Sequence, residues 1–248
     1  MKKAWEIARI MTDEAIPKLL SEEEQTWEAS IDAGEAEDAH LKLLWNSNVP
    51  GSYAPESIML AAVQAKENLG YIVENGVSIW EEGQKALKEN DMVALNQISV
   101  RLWNAVNHAK KDETHPSWTF THYQSWAQYE ENVSFLPPTA VDKDTLEEKM
   151  HSGWLGQIVG GAIGTMLEGY TTQTIQQVFG DVRAYLRKPS TYNDDITYEL
   201  AFLYAYEQKG PAITSTDVAE SWIGYVPSGW SAEEMAIRNI RWGIMPPE

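Results

Sequence analysis

Adjacent carboxylates at the mouth of a helix can share a cation or a proton, and one stretch of this sequence offers them. It reads Tyr192-Asn193-Asp194-Asp195-Ile196-Thr197-Tyr198-Glu199. Leu200, Leu203 and Tyr206 continue an apolar stripe at helical spacing, and Gly210-Pro211 ends it. Asp194 and Asp195 are thereby placed at or just before a helix N-terminus. Neighbours on a helix point about 100° apart, but at the first turn the backbone can direct both carboxylates to one point. Glu199 lies four residues after Asp195, on the same face, where like charges repel. A hard divalent cation such as Mg²⁺ relieves that repulsion, because it takes oxygen ligands and is held through one or two carboxylates. Read alone, the octapeptide is explained better by Asn193 or Asp194 as an N-cap, with the acids favoured by the helix dipole.

Another carboxylate, Glu168, closes a helix of unusual composition. Asp144 and Glu147 make a cap pair at its start. Gly153, Gly156, Gly160, Gly161 and Gly164 follow. Each interior glycine costs about 1 kcal/mol relative to alanine, so the run needs a reason. Gly156, Gly160 and Gly164 form one smooth stripe, and the spacing predicts a neighbouring helix packed closely along it. The ends of this helix are too polar for a membrane dimer. Glu168 then follows Thr165-Met166-Leu167 and precedes Gly169. It reads as a surface residue, a ligand, or an acid–base group held over a site.

The rest of the chain must position these groups. Its 248 residues suit one large domain or two small ones, and 43% of them are hydrophobic, with 11 Trp. Cysteine is absent, which excludes a thiol nucleophile, a disulfide framework and a Cys-based metal site. The start, Met1-Lys2-Lys3-Ala4-Trp5-Glu6, leads into no apolar signal region, and no run is long enough to span a bilayer. A cytoplasmic protein without a membrane partner is expected. The net charge of −18 argues against nucleic acid, which needs clustered Lys and Arg. It leaves open a phosphate-bearing small substrate, because bound cations reverse a local field.

Residues 21–38 hold eight acids and no base, and read as a solvated face or a mobile acidic segment. Val49-Pro50-Gly51-Ser52 reads as a loop, with Pro55 in the first turn of a helix carrying Ile58, Met59, Ala62 and Val63. Asn75-Gly76 is a turn, and Asp91 caps a helix whose Leu95, Ile98, Leu102 and Val106 face a core. Residues 112–138, ending in Pro137-Pro138, read as an irregular connector packed by Trp118, Trp126 and Phe135. His115, His122 and His151 lack metal-ligand spacing. No segment sustains strand alternation, so the fold class is all-α.

The text Gly156-x3-Gly160-Gly161-Ala162-Ile163-Gly164-x3-Glu168-Gly169, followed by Asn193-Asp194-Asp195-Ile196, resembles the ADP-ribosylglycohydrolase family. Val178-Phe179-Gly180, Gly229-Trp230-Ser231 and Gly243-Ile244-Met245-Pro246-Pro247 add to the resemblance, which covers residues 148–248. It implies a multi-helix orthogonal bundle, preceded by a helical extension over 1–147, and hydrolysis of an ADP-ribosyl bond at a two-Mg²⁺ centre. By the same resemblance Asn193, Asp194 and Asp195 are metal ligands, with Asp194 and Glu168 the catalytic pair and ADP-ribose or an ADP-ribosylated substrate the partner. Three positions depart from the family's text. Gly161 stands where Asp is usual, Asn193 where Thr is, and Ile196 where a second Thr is. The family's late Asp-x-Asp-Thr motif has no counterpart after these elements, so the domain is expected to be a front half. Asp142-Lys143-Asp144-Thr145 has that spelling but precedes the glycine helix and reads as its cap, with Asp144 in that role.

Two alternatives stay open. One is a non-catalytic ADP-ribose-binding module that keeps the fold. The other is an all-α terpene synthase-like diphosphate lyase, which Asp194-Asp195-x3-Glu199 also resembles.

Overall fold

Capping side chains set where several helices begin. Asp91 accepts a hydrogen bond from the Ala94 amide at 3.0 Å and starts the helix Met92–Asn107. Asn193 does the same for Asp194–Lys209, accepting from the Ile196 amide at 3.1 Å. Gly210, with φ of 60°, ends that helix in a conformation other residues rarely adopt. A computed structural model describes residues 1–27, 29–137, 140, 142–188 and 193–247. Tyr192 of the acidic octapeptide and Pro138 of the connector lie outside the described residues.

The chain divides into two compact units, Met1–Lys42 and Leu43–Glu248. The first holds α1 (Ala4–Asp13), a 3-10 turn (Glu22–Glu24) and most of α2 (Ala29–Trp45). Lys3 N–H donates to Glu6 at 2.6 Å at the start of α1, which buries none of its residues. Part of the acidic run forms the turn, where Glu24 accepts from the Ser21 amide and pairs with Lys18. Glu22, Glu23 and Glu24 are exposed, as a solvated segment requires.

The second unit has two helical layers. Its first is α3 (Ile58–Asn68), α4 (Gly76–Glu89) and α5 (Met92–Asn107) around the end of α2. Leu95, Ile98, Leu102 and Val106 are buried there with Met59 and Val63, the face the spacing predicts. Trp45 is fully buried and donates its indole N–H to Ser99 Oγ at 2.8 Å. Two short antiparallel pairs join the loops, β1 (Ser47–Asn48) with β2 (Pro55–Glu56) and β3 (Tyr71–Ile72) with β4 (Lys110–Lys111). Pro55 therefore sits in a bridge, and α3 starts only at Ile58 after Ser57.

The connector is more ordered than its composition suggests. Trp118 packs edge-on to Tyr71, with ring centres 5.5 Å apart, and its N–H donates to Gly70 O at 3.2 Å. Ser125 caps a seven-residue helix, α6 (Trp126–Asn132), whose Trp126 and Tyr129 pack on Phe135 rather than on a core. Irregular composition hid this turn of helix, because its aromatics cluster among themselves.

The last layer is α7 (Lys143–Gly164), α8 (Thr172–Phe179), α9 (Asp194–Lys209), α10 (Ser215–Tyr225) and α11 (Ala232–Arg241). Asp142, and not Asp144, caps α7, accepting from the Asp144 amide at 3.1 Å and the Thr145 hydroxyl at 2.8 Å. Ala201, Val226 and Ile237 form a small core, with Tyr198, Trp222 and Ile223 packed on it. Small side chains let α9 and α10 meet closely: Ser221 Oγ donates to Ala201 O at 2.6 Å. The all-α reading holds, with strands confined to two-residue bridges among the described residues. No helix among them is long and apolar enough to cross a membrane.

The glycine stripe is a correction. A Cβ added at Gly156, Gly160 or Gly164 meets nothing within 4 Å among the described residues. The close approach is one residue away, where a Cβ on Gly161 would lie 2.3 Å from Asn193 Nδ2. Gly160→Ala is therefore expected to raise stability by about 1 kcal/mol through helix propensity alone. Gly161→Ala has to displace Asn193 and so forfeit a cap worth about 1 kcal/mol, which cancels that gain. Thermal melts of the two variants check this, and equal melting temperatures would mean that Asn193 does not rest on Gly161.

Candidate active site

Three backbone reversals build a cavity of about 690 Å³. The first follows α7. Both the N–H and the hydroxyl of Thr165 donate to Gly161 O, at 2.9 and 2.7 Å, and Leu167 N–H donates to Gly164 O at 2.7 Å. Gly169 then takes φ of 77°. The helix unwinds into a tight turn, and Glu168 lines the cavity from that turn rather than from the helix. The N-terminus of α9 brings Asp194 to the same cavity. These two carboxylates, distant in sequence, thus share one cleft.

The second reversal is Gly229-Trp230-Ser231, ahead of α11. A Cβ at Gly229 would lie 2.7 Å from the Glu234 amide, so only glycine fits. Ser231 has φ of 55°, an uncommon conformation for a residue with a side chain. Buried Glu234 ties the turn down, accepting from Gly229 N–H at 3.4 Å and from Arg238 Nε at 2.9 Å. Trp230 and Glu233 line the cavity.

The third is the strap between β1 and β2. Gly51 has φ of 90°, and a Cβ there would lie 2.2 Å from Thr165 Cγ2. Arg187 Nη2 donates to Gly51 O at 2.7 Å, and the Tyr170 hydroxyl donates to Ser52 O at 3.2 Å. Val49, Pro50 and Glu56 of this strap face the cavity, and Glu56 Oε2 accepts the Trp230 indole N–H at 2.7 Å.

Among the described residues four carboxylates, Glu56, Glu168, Asp194 and Glu233, therefore line one cavity, and no Lys or Arg does. Burial pushes the Glu168 carboxyl above its ordinary value, and the charges of Asp194, Glu56, Asp195 and Glu233 add to the effect in that order. A partly buried acid whose proton affinity is raised by neighbouring carboxylates is an arrangement acid–base catalysis uses. Sequence reasoning named Glu168 and Asp194, which line this cavity, and did not name Glu56 and Glu233, which line it too. Nothing around Pro55-Glu56 marks it, and Glu233 reads as an ordinary first-turn acid.

The proposed ligands are less concentrated. Asn193 Oδ1 is used as the α9 cap, and Asp194 Oδ1 accepts the Asp195 amide at 3.1 Å. Asp195 is exposed, as is Glu199. Among the described residues no group of three or more His, Cys, Asp or Glu stands close enough to hold a metal ion. Of the two aspartates, Asp194 lines the cavity, and a hard cation takes oxygen ligands of this kind while keeping several waters. His115 and His122 both bond to Ser117, His115 to its hydroxyl and His122 to its carbonyl, in the connector.

The cleft thus gathers carboxylates from separate turns and helix starts of an all-helical fold. The family comparison is more specific. Residues 142–247 match the ADP-ribosylglycohydrolase family. The family's members are metal-dependent glycosidic hydrolases that act on ADP-ribosylated substrates. Searches of curated proteins and of solved structures gave no match to the chain.

Proposed function

We propose that this protein hydrolyses an ADP-ribosyl glycosidic bond, with Glu168 as the group that moves the proton. What carries the reading is the meeting of Glu168 and Asp194 in one cavity built largely by the family segment. Glu168, with its proton affinity raised, is suited to hold a proton for a leaving group or to take one from water. Asp194 shares the cavity with Glu168 and is one of the neighbours that raise its proton affinity. Trp230 and Tyr198 supply aromatic walls that keep bulk water from part of the cleft. Asp194 and Asp195 would hold one Mg²⁺, which when bound supplies charge to orient ribose hydroxyls and to polarise water. An anionic diphosphate has reason to need such a cation, since every charged side chain lining the cavity among the described residues is acidic.

The test is release of ADP-ribose from arginine- or serine-linked mono-ADP-ribosylated protein. Release by the wild type and its loss in Asp194→Asn supports the proposal. ADP-ribose binding without release selects the non-catalytic module, which the dispersed ligand set favours as the second reading. The family match separates both from the terpene synthase-like resemblance of Asp194-Asp195-x3-Glu199.

Calorimetric titration with Mg²⁺ is expected to show one weak site at most, weakened further in Asp195→Asn. Two carboxylates leave most of an octahedral shell to water. Two tight sites would show that ligands beyond Asp194 and Asp195 complete a pair within this chain.

A further inference from the structure

The family segment begins at residue 142, yet one wall of the cavity comes from the strap between β1 and β2, far ahead of it. The strap is fastened to the family segment at several independent points. Arg187 Nη2 bonds to Gly51 O at 2.7 Å, and its guanidinium lies 5.0 Å from the centre of the Tyr53 ring. The Tyr170 hydroxyl bonds to Ser52 O at 3.2 Å. Glycine is required on both sides of the seam, since a Cβ on Gly51 would strike Thr165, and one on Gly169 would lie 2.7 Å from Ala54 Cβ. The strap is also braced from within. Val49 N–H bonds to Ala54 O at 2.9 Å, and Asn48 Nδ2 bonds to Tyr53 O at 2.9 Å. Such a scaffold holds Glu56 in a fixed place, and Glu56 holds Trp230.

We propose that Glu56 is a positioning residue of the active site, fixing the Trp230 ring as a wall of the substrate cleft, so that the working unit includes the strap as well as the family segment. The proposal rests on the ADP-ribosyl reading for its ligand, but the contact itself does not. Trp230 sits at the crest of the turn that begins at Gly229, with Ser231 in a left-handed conformation next to it. The indole N–H has a carboxylate acceptor at 2.7 Å, a charge-assisted bond stronger than a neutral one. Without that acceptor the ring loses its tether, and its N–H faces a partly buried wall unpaired. Glu56 also lines the same cavity as Glu168, so the strap reaches the proposed acid–base group as well as the wall.

Three variants separate these effects. Glu56→Ala removes the acceptor and the charge. Glu56→Gln removes the charge and keeps an acceptor oxygen. Trp230→Phe keeps a ring and removes the N–H. Glu56→Ala is expected to weaken ADP-ribose binding and raise KM about tenfold, with a much smaller change in kcat. Trp230→Phe is expected to lose a similar amount, and the double variant Glu56→Ala with Trp230→Phe no more than either alone. Glu56→Gln recovers most of the loss. If Gln behaves like Ala, the charge rather than the tether matters and the positioning role is overturned. Additive losses overturn it as well, as does wild-type KM in Glu56→Ala.

A ligand-free measurement accompanies these. The Trp230 indole N–H proton resonance, assigned by its absence in Trp230→Phe, should move upfield and exchange faster with water in Glu56→Ala. An unmoved resonance would refute the tether even if the wild type neither binds nor hydrolyses ADP-ribose. That last result would count against the proposed function alone, and normal wild-type activity with unaffected variants would count against the positioning role alone.

Discussion

Glu168→Gln is expected to lower kcat for ADP-ribose release by about 10²–10⁴-fold, the usual contribution of a positioned acid or base. Affinity for ADP-ribose should hold or improve, because the substitution removes one negative charge from a cavity lined by four carboxylates. The pH dependence has a definite sign. Burial and the neighbouring charges raise the folded-state pKa of Glu168 above its ordinary value. The stability Glu168 contributes is then fully present below its ordinary value of 4.5 and is lost as pH rises through the raised one. At neutral pH Glu168→Gln is therefore expected to be at least as stable as the wild type, while nearly inactive. If the proton is donated in the slow step, the wild-type rate falls as pH rises through the Glu168 pKa, and Glu168→Gln lacks that limb. Steady-state rates between pH 4 and 9 with parallel thermal melts check both expectations. A variant that is both less stable at neutral pH and fully active would place Glu168 outside the chemistry.

Local signals in this chain were legible where one residue type has one physical job. The Leu95, Ile98, Leu102 and Val106 stripe marked a buried face, and Asp91 and Gly210 marked helix ends. The glycine run was misread because spacing alone cannot say which glycine meets a neighbour. The stripe at Gly156, Gly160 and Gly164 is open, whereas off-stripe Gly161 carries the contact. The Asn193 amide occupies the space that a side chain at Gly161 would need. The cap of α7 was misplaced by two residues because Asp142 and Asp144 are alike in type. Which of them caps depends on backbone geometry at the helix start.

The site was legible only where it is local. Glu168 lies in the turn that follows one helix and Asp194 opens another, and such ends gather at clefts. Glu56 depends on a strap folding back over 174 residues to reach Trp230, a distance in sequence that no short pattern encodes. Glu233 follows the same logic, since its place in the cavity is set by the Gly229 reversal rather than by its own neighbours.

Trp45→Ala is expected to cost about 3–5 kcal/mol. Trp45 is fully buried at the end of an otherwise polar, acidic helix, where periodicity gives no hint of it. Its backbone carbonyl accepts from Gln84 Nε2 at 3.0 Å, and its indole donates to Ser99 Oγ. Gly83, an unfavourable residue in the middle of α4, is there because of this ring. A Cβ at Gly83 would lie 2.0 Å from the Trp45 ring, so Gly83→Ala overpacks the contact and is expected to cost about 1–3 kcal/mol despite its better helix propensity. The two losses should not add. Once the indole is gone, the new methyl enters the space it left, and Gly83→Ala becomes neutral or stabilising by the roughly 1 kcal/mol that propensity confers. Denaturant unfolding of the wild type, both single variants and the double variant closes the cycle. Additive losses would mean that Trp45 and Gly83 are not in contact. The effect reaches the site as well, because Trp45 lies two residues before β1, the first leg of the strap that holds Glu56. Trp45→Ala is therefore expected to weaken ADP-ribose binding through a loosened strap, even at temperatures where the protein remains folded.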